Sequence, residues 1–185
     1  LPKILNARGI VDTNQKDLNT ANIFSTSSLL SPSADMDDGK RANFIQIQNG
    51  HVIPIKHMRV PALRTGYESV LPYRMTELYC TMAEEDGVVE SVNPNSNIKV
   101  IFKSGKKKTV RLGFWNTKEE SNVSYKHTLV TNLTKGSKFK QGDTLSYDEA
   151  FFEPDIFDKS RVIFKTGTYM RVAFMETTNT YEDST

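Results

Sequence analysis

Hydrophobic positions along this chain change period near its middle. Ile23, Phe24, Leu29 and Leu30 recur at a rough helical spacing, with Thr20 placed to cap a short helix. Ser31-Pro32-Ser33 ends it, because the residue before a proline is pushed out of the helical region. A second helix is predicted from Asp37 to Asn49. Asp37 and Asp38 open it in the first turn, where carboxylates suit the positive end of the dipole. Gly50, Pro54 and Pro61 interrupt any regular element after it, and Thr65-Gly66 reads as a turn. Residues 1–20 are polar and read as loop, with a short strand around Ile10-Val11.

From about residue 86 the pattern becomes strand-like. Val88, Val89 and Val92 form one short strand, and Ile98, Val100 and Phe102 alternate with polar Lys99, Ile101 being the exception. Lys103-Ser104-Gly105-Lys106 is a hairpin turn, and Thr109-Val110-Arg111-Leu112 alternates on the return. Asp143 to Leu145, Val162 to Phe164 and Met170 to Phe174 supply further strands. The prediction is an α+β chain, a small helical N-terminal part followed by β-rich structure.

Composition narrows the classes. The 185 residues suffice for one ordinary domain or two small ones. No apolar run approaches the roughly 20 residues of a membrane helix, which excludes a membrane-spanning helix. Lys and Arg number 24 against 22 Asp and Glu, a net charge of +2, so a histone-like polycation is excluded while a local basic patch is not. Cys80 is the only cysteine, which leaves no internal disulfide and no cysteine-based zinc site; it reads as a small buried hydrophobe. His51, His57 and His127 lack the spacing of a metal-binding helix. The chain opens at Leu1 without a signal-peptide pattern and closes on Tyr181-Glu182-Asp183-Ser184-Thr185, so a fragment of a longer chain is expected.

Four stretches carry candidate chemistry. In Asp37-Asp38-Gly39-Lys40-Arg41-Ala42-Asn43, two carboxylates precede an arginine by a helical turn. That is either a solvated set of charge pairs or an arginine fork offered to phosphate and held by an acid. Lys106, Lys107 and Lys108 make the tip of the hairpin cationic. They would either touch nucleic-acid backbone or guard an exposed sheet edge. Ser137 to Leu145 carries the Gly142-Asp143 turn of a tight β-corner and reads as structural. Near the end, Val172-Ala173-Phe174-Met175 leads to Glu182 and Asp183, and paired acids of this kind can hold Mg²⁺ directly or through water.

Taken in order, these stretches resemble the β subunit of the cellular multisubunit DNA-dependent RNA polymerase. The family's helix ending in a Leu-Ile-Pro-Phe-like segment corresponds to Asn22 to Pro32. Its Asp-Asp-x-x-Arg-Ala corresponds to Asp37 to Ala42, and its Val-Pro to Val52-Ile53-Pro54. Its Gly-Thr-Gly-x-Glu turn is met by Arg64-Thr65-Gly66-Tyr67-Glu68, and its Gly-x-Val-x-x-Val-Asp by Gly87 to Asn93. Its Gly-Asp-x-Leu corner is met by Gly142-Asp143-Thr144-Leu145. Its closing Val-Ala-Phe-Met strand and acid pair are met by Val172 to Met175 and Glu182-Asp183. The likeness spans roughly residues 20–185. Where the family has Asn-Met-Gln-Arg-Gln, this chain has Ile47-Gln48-Asn49-Gly50-His51, a departure that resembles the split polymerases of giant bacteriophages.

The resemblance implies a division into three parts. Residues 1–75 would be the partly helical segment with the Asp-Asp-x-x-Arg-Ala motif, and 76–160 a β-rich, wall-like insert. Residues 161–185 would return a strand to a double-psi β-barrel. It implies templated RNA synthesis, with Mg²⁺ as cofactor and its main site on a β′-type partner. Arg41, Glu182 and Asp183 would be catalytic, Arg41 and Asp38 substrate-binding, and Glu182 and Asp183 would face the second Mg²⁺ through water. Partners would be the β′-type subunit, the remaining β segment, DNA template, RNA product and nucleoside triphosphates, without a membrane. The setting would be the cytoplasm, that of the host for a phage-encoded chain, or the virion. The segment alone is expected to be inactive. Two further classes stand beside this one: a non-enzymatic β-rich module that binds nucleic acid through its lysine hairpin, and a phage structural protein.

Overall fold

The structure is a computed structural model, and it describes residues 4–6, 9–11, 24–51, 55, 57–118 and 124–175. Among these, twelve strands and three short helices make it mostly β with a small helical part, as the α+β prediction requires. Strands β1 (Ile4–Asn6) and β2 (Gly9–Val11) form an antiparallel pair, in agreement with the strand read at Ile10-Val11. Helix α1 (Thr26–Leu29) starts at Ser25, whose hydroxyl accepts the Ser28 N–H at 3.3 Å. Ser25 therefore holds the capping position in place of Thr20, which lies outside the described residues. Helix α2 (Gly39–Gly50) begins two residues later than the pattern suggests, and α3 (Leu71–Arg74) is a single turn with Pro72 near its start. Among the described residues no helix is long and apolar enough to cross a membrane.

The predicted alternation builds a meander of β4 (Gly87–Asn93), β5 (Asn97–Phe102) and β6 (Lys107–Arg111). The turn at residues 103–106 is in its expected place, closed by Gly105 N–H to Phe102 O at 2.9 Å. With β9 (Lys138–Phe139) these strands form one antiparallel sheet in the order β6-β5-β4-β9. Alternate residues have opposite fates, as the two-residue period demands. Val89, Val100, Ile98, Val110 and Phe139 point inward and are buried. Lys99, Thr109, Arg111 and Lys138 point outward. A bulge between Val89 and Ser91 leaves Glu90 as the extra residue.

The second sheet, in the order β3-β10-β8-β7, joins β3 (Cys80–Met82), β10 (Thr144–Asp148), β8 (Ser124–Val130) and β7 (Gly113–Lys118). Strand β10 is buried along its whole length, because it stands between two apolar clusters. Leu145 joins the cluster of Ala83, Val89, Ile98, Val100, Phe102, Val110, Leu112 and Phe139. Tyr147 joins Cys80, Phe152 and Val162, the last two from the pair β11 (Phe152–Pro154) and β12 (Val162–Phe164). Each fully buried aliphatic side chain here contributes about 1.5–3 kcal/mol.

One predicted strand does not form. Residues Met170 to Phe174 make no strand and are exposed throughout, with Phe174 98% accessible. The stretch alternates suitably, but no strand among the described residues pairs with it to complete the hydrogen bonding. The last pairing before it is the isolated bridge between Arg59 and Gly167.

Candidate functional site

The acid and arginine singled out in the N-terminal part sit on a small frame of α1, α2 and the turn that precedes α3. Glu68 is the centre of that frame and is only 1% exposed. Its carboxylate accepts the Gly66 N–H at 2.8 Å and the Thr65 N–H at 3.3 Å. Gly66 has φ of +91°, a conformation that glycine adopts freely and other residues do not. The Thr65 hydroxyl in turn donates to Leu29 O at 2.6 Å and fastens the turn to α1. Asn49 near the end of α2 donates to Ser27 O and to the Ser31 hydroxyl, both at 3.3 Å. A cleft of about 470 Å³ lies between these elements and β12, lined by Leu30, Ile45, Met58, Leu63, Glu68 and Phe164 among others.

Asp38 and Arg41 both lie at the start of α2, and both are exposed. Asp38 takes the capping position in extended conformation without a side-chain cap bond, and its carbonyl accepts the Ala42 N–H at 3.0 Å. The predicted placing of Asp37 and Asp38 inside the first turn is thus corrected: the helix starts at Gly39. Asp37 stays extended before it, and its carboxylate is taken by the Asp38 N–H at 2.8 Å. The charge pairs expected between these acids and Arg41 are accordingly not made, and Arg41 has no ion pair with any described residue. Its guanidinium is available to an outside anion. Glu182 and Asp183 lie outside the described residues.

The hairpin lysines stand among carboxylates. Lys106 meets Glu84 at 3.0 Å, Lys107 meets Glu90 at 2.9 Å, and Lys108 meets Glu77 at 2.6 Å and Glu84 at 2.8 Å. Lys108 and Lys106 hold the Glu84 carboxyl down at about 2 by hydrogen bonding and charge. Burial opposes the charge on Lys108, but Glu77 and Glu84 outweigh it, so its pKa stands above the ordinary lysine value. The glutamates come from 17 to 31 positions away in sequence, so no local pattern reveals them.

A buried pair escapes the sequence reading. His127 on β8 and Asp148 on β10 meet at 2.7 Å between Nδ1 and Oδ2, with side chains 3% and 0% exposed. Trp115 stacks on the imidazole at 4.9 Å and Tyr79 meets it edge-on at 5.2 Å. Asp148 also accepts the Ala150 N–H at 3.0 Å. Shielded by these rings, the pair fastens β8 to β10. Cys80 is buried as expected, and burial pushes its thiol up to about 12, which keeps it protonated and unreactive at neutral pH. No group of three His, Cys, Asp or Glu among the described residues could hold a metal ion.

No family model matches the chain. It is 38% identical over 134 residues, 72% of its length, to the DNA-directed RNA polymerase subunit beta of Karelsulcia muelleri (strain GWSS). Those residues span 9% of that much longer protein. By this comparison, and by the order of its motifs, the chain is similar to an RNA polymerase β subunit over most of its length.

Proposed function

We propose that this chain is a segment of the β-type subunit of a DNA-directed RNA polymerase, forming one wall of the nucleotide-addition site beside a β′-type partner. The similarity to a polymerase β subunit over 72% of the chain carries this reading. Arg41, exposed and without an ion pair to any described residue, supports it locally, beside a frame fixed by Glu68. In this reading the RNA 3′-hydroxyl, losing its proton, attacks the α-phosphate of the incoming nucleoside triphosphate, the bond between the α- and β-phosphates breaks and pyrophosphate leaves. Arg41 offers its planar fork to the triphosphate, and Asp38 orients that end of α2. Glu182 and Asp183 would be the acids offered to a second Mg²⁺. When bound, the ions supply neutralisation of phosphate charge. The β′-type partner carries the main metal site, so this segment alone is inactive.

The finer assignments belong to the same reading. Residues 76–160 form the wall-like insert. The exposed run Met170 to Phe174 gains its neighbours within a double-psi β-barrel completed by the remaining β segment. Contact of Lys106, Lys107 and Lys108 with DNA or RNA requires exchange of their glutamate partners for phosphates. The sequence at Ile47 to His51 favours the divergent, split enzymes of giant bacteriophages.

The test is Arg41→Ala in the assembled enzyme. Loss of a preorganised charged donor to a transferring phosphoryl group slows nucleotide addition about 100-fold. Assembly, followed by co-purification of the β′-type subunit, stays intact because Arg41 pairs with no described residue of its own chain. An unchanged addition rate overturns the assignment of Arg41. Purification without any polymerase subunit overturns the function.

A further inference from the structure

The outward face of the β6-β5-β4-β9 sheet has a regular composition. The register aligns Lys138, Val88, Ile101 and Lys107 in one row across the four strands. Ser91, Lys99 and Thr109 form the next, and Asn93, Asn97 and Arg111 the third. Neutral hydrogen-bonding side chains accompany the cation in the second and third rows, whereas in the first Val88 and Ile101 separate two lysines, and Val88 (40% exposed) shows that the face is open. Glu90 reaches over this face to Lys107 from the bulge in β4, and its charge also acts on Lys99 without forming an ion pair. Lys99, Lys138 and Arg111 have no ion-pair partner among the described residues, although Arg111 lies over the Trp115 ring at 5.1 Å. Past the Val88 and Ile101 end, a groove of about 1100 Å³ adds Lys103 and Lys140. The carboxylates bordering it, Asp86, Asp143 and Asp158, accept the backbone N–H groups of Gln141, Lys140 and Ser160.

We propose that this sheet face, through Lys99, Lys138 and Arg111, is a binding surface for the phosphate backbone of a nucleic acid. The spacing supports it. Strands lie about 4.8 Å apart and alternate residues about 6.8 Å apart, so the cations form a lattice on the scale of successive phosphates. The neutral Ser91, Thr109, Asn93 and Asn97 are side chains suited to phosphate and sugar oxygens. No ring projects from these three rows, so base stacking is not part of the interaction and binding is independent of sequence. The three cations are distinct from Lys106, Lys107 and Lys108, which glutamates already match, although Lys107 borders the same face; the proposal does not depend on the polymerase reading.

The experiment is fluorescence anisotropy of a labelled 20-base-pair DNA duplex with the full 185-residue chain, titrated from 50 to 200 mM salt. Each phosphate contact contributes about 0.9 to the slope of log affinity against log salt, so three contacts give a slope near −3. Lys99→Glu with Lys138→Glu weakens binding at least about tenfold at 50 mM salt and makes the slope shallower by about 2. Lys99→Gln with Lys138→Gln does the same to a smaller degree, and circular dichroism confirms that both variants fold. Lys40→Glu, a reversal of the same kind on α2, leaves affinity and slope unchanged. Undetectable binding at 50 mM salt, or a double variant that binds like the parent, overturns the proposal. So does equal competition by poly-glutamate at matched charge, which would make the face a site for acidic protein.

Discussion

Replacing Glu68 tests whether one buried carboxylate holds the turn that fastens to α1. The side chain is 1% exposed and accepts two backbone N–H groups, at 2.8 Å from Gly66 and 3.3 Å from Thr65. The Thr65 hydroxyl lies 3.5 Å away, but its single hydrogen is given to Leu29 O at 2.6 Å, so it is left out of the count. Hydrogen bonds to a charged group contribute about 1.5–3 kcal/mol each. Gly66 is exposed and its freed N–H regains water, which places the expected loss for Glu68→Ala at about 3 kcal/mol. Glu68→Gln keeps the volume and one acceptor oxygen but turns an amide NH₂ toward a backbone donor, a loss of about 1–2 kcal/mol. Urea denaturation monitored by circular dichroism measures both, provided the m value is unchanged. A loss below about 1 kcal/mol for the alanine variant would refute the reasoning, as would a glutamine variant as stable as the parent.

Two other outcomes rest on the geometry. Gly113→Ala destabilises more than Gly66→Ala: both glycines sit at positive φ, about 1–2 kcal/mol of strain for alanine. Only at Gly113 would the added Cβ lie 2.8 Å from the Asn95 backbone, while at Gly66 it meets open space; equal denaturation midpoints would contradict this. Glu84 has a pKa near 2 when folded against an ordinary value of 4.5, because Lys108 and Lys106 stabilise its charged form. Its contribution is therefore complete above the ordinary value and fades as pH falls toward 2. The stability difference between the parent and Glu84→Gln shrinks over that range in acid denaturation, and a difference independent of pH would show that the network does not act through charge.

The parts of the fold legible in the sequence are those whose signals are local. The meander β4 to β6 is readable because Ile98, Val100 and Phe102 keep a two-residue period between compact turns, whereas the bulge at Glu90 breaks that period in β4. Helix α2 is readable from the acids that precede it. Strands β7 and β8 escape notice because Trp115 and His127 take inward-facing positions beside Leu129 and Gly113, which disguises the apolar alternation. The match of His127 to Asp148 across 21 positions, like that of Lys108 to Glu77 across 31, exists only once distant strands are side by side. The segment Met170 to Phe174 shows the converse: its alternation is sound, yet alternation alone cannot supply a neighbouring strand.

The sheet order sets the sequence of events by which the chain reaches this structure. Strands β4, β5 and β6 are consecutive hairpins, so their pairing closes only short loops and can begin within microseconds. Strand β3 has no such neighbour. Its partner β10 arrives only after the whole meander has been traversed, as the contact between Met82 and Thr144, 62 positions apart, records. The entropy of closing that loop is met once, and the prior folding of the meander shortens the effective distance. Contacts of long sequence separation slow folding, so the joining of β3 to β10 is the pairing that this topology delays most. A ribosome that has released β3 through β9 but not β10 therefore holds a chain with the strands of one sheet complete, while β3 and the β7–β8 hairpin of the other lack the strand that joins them.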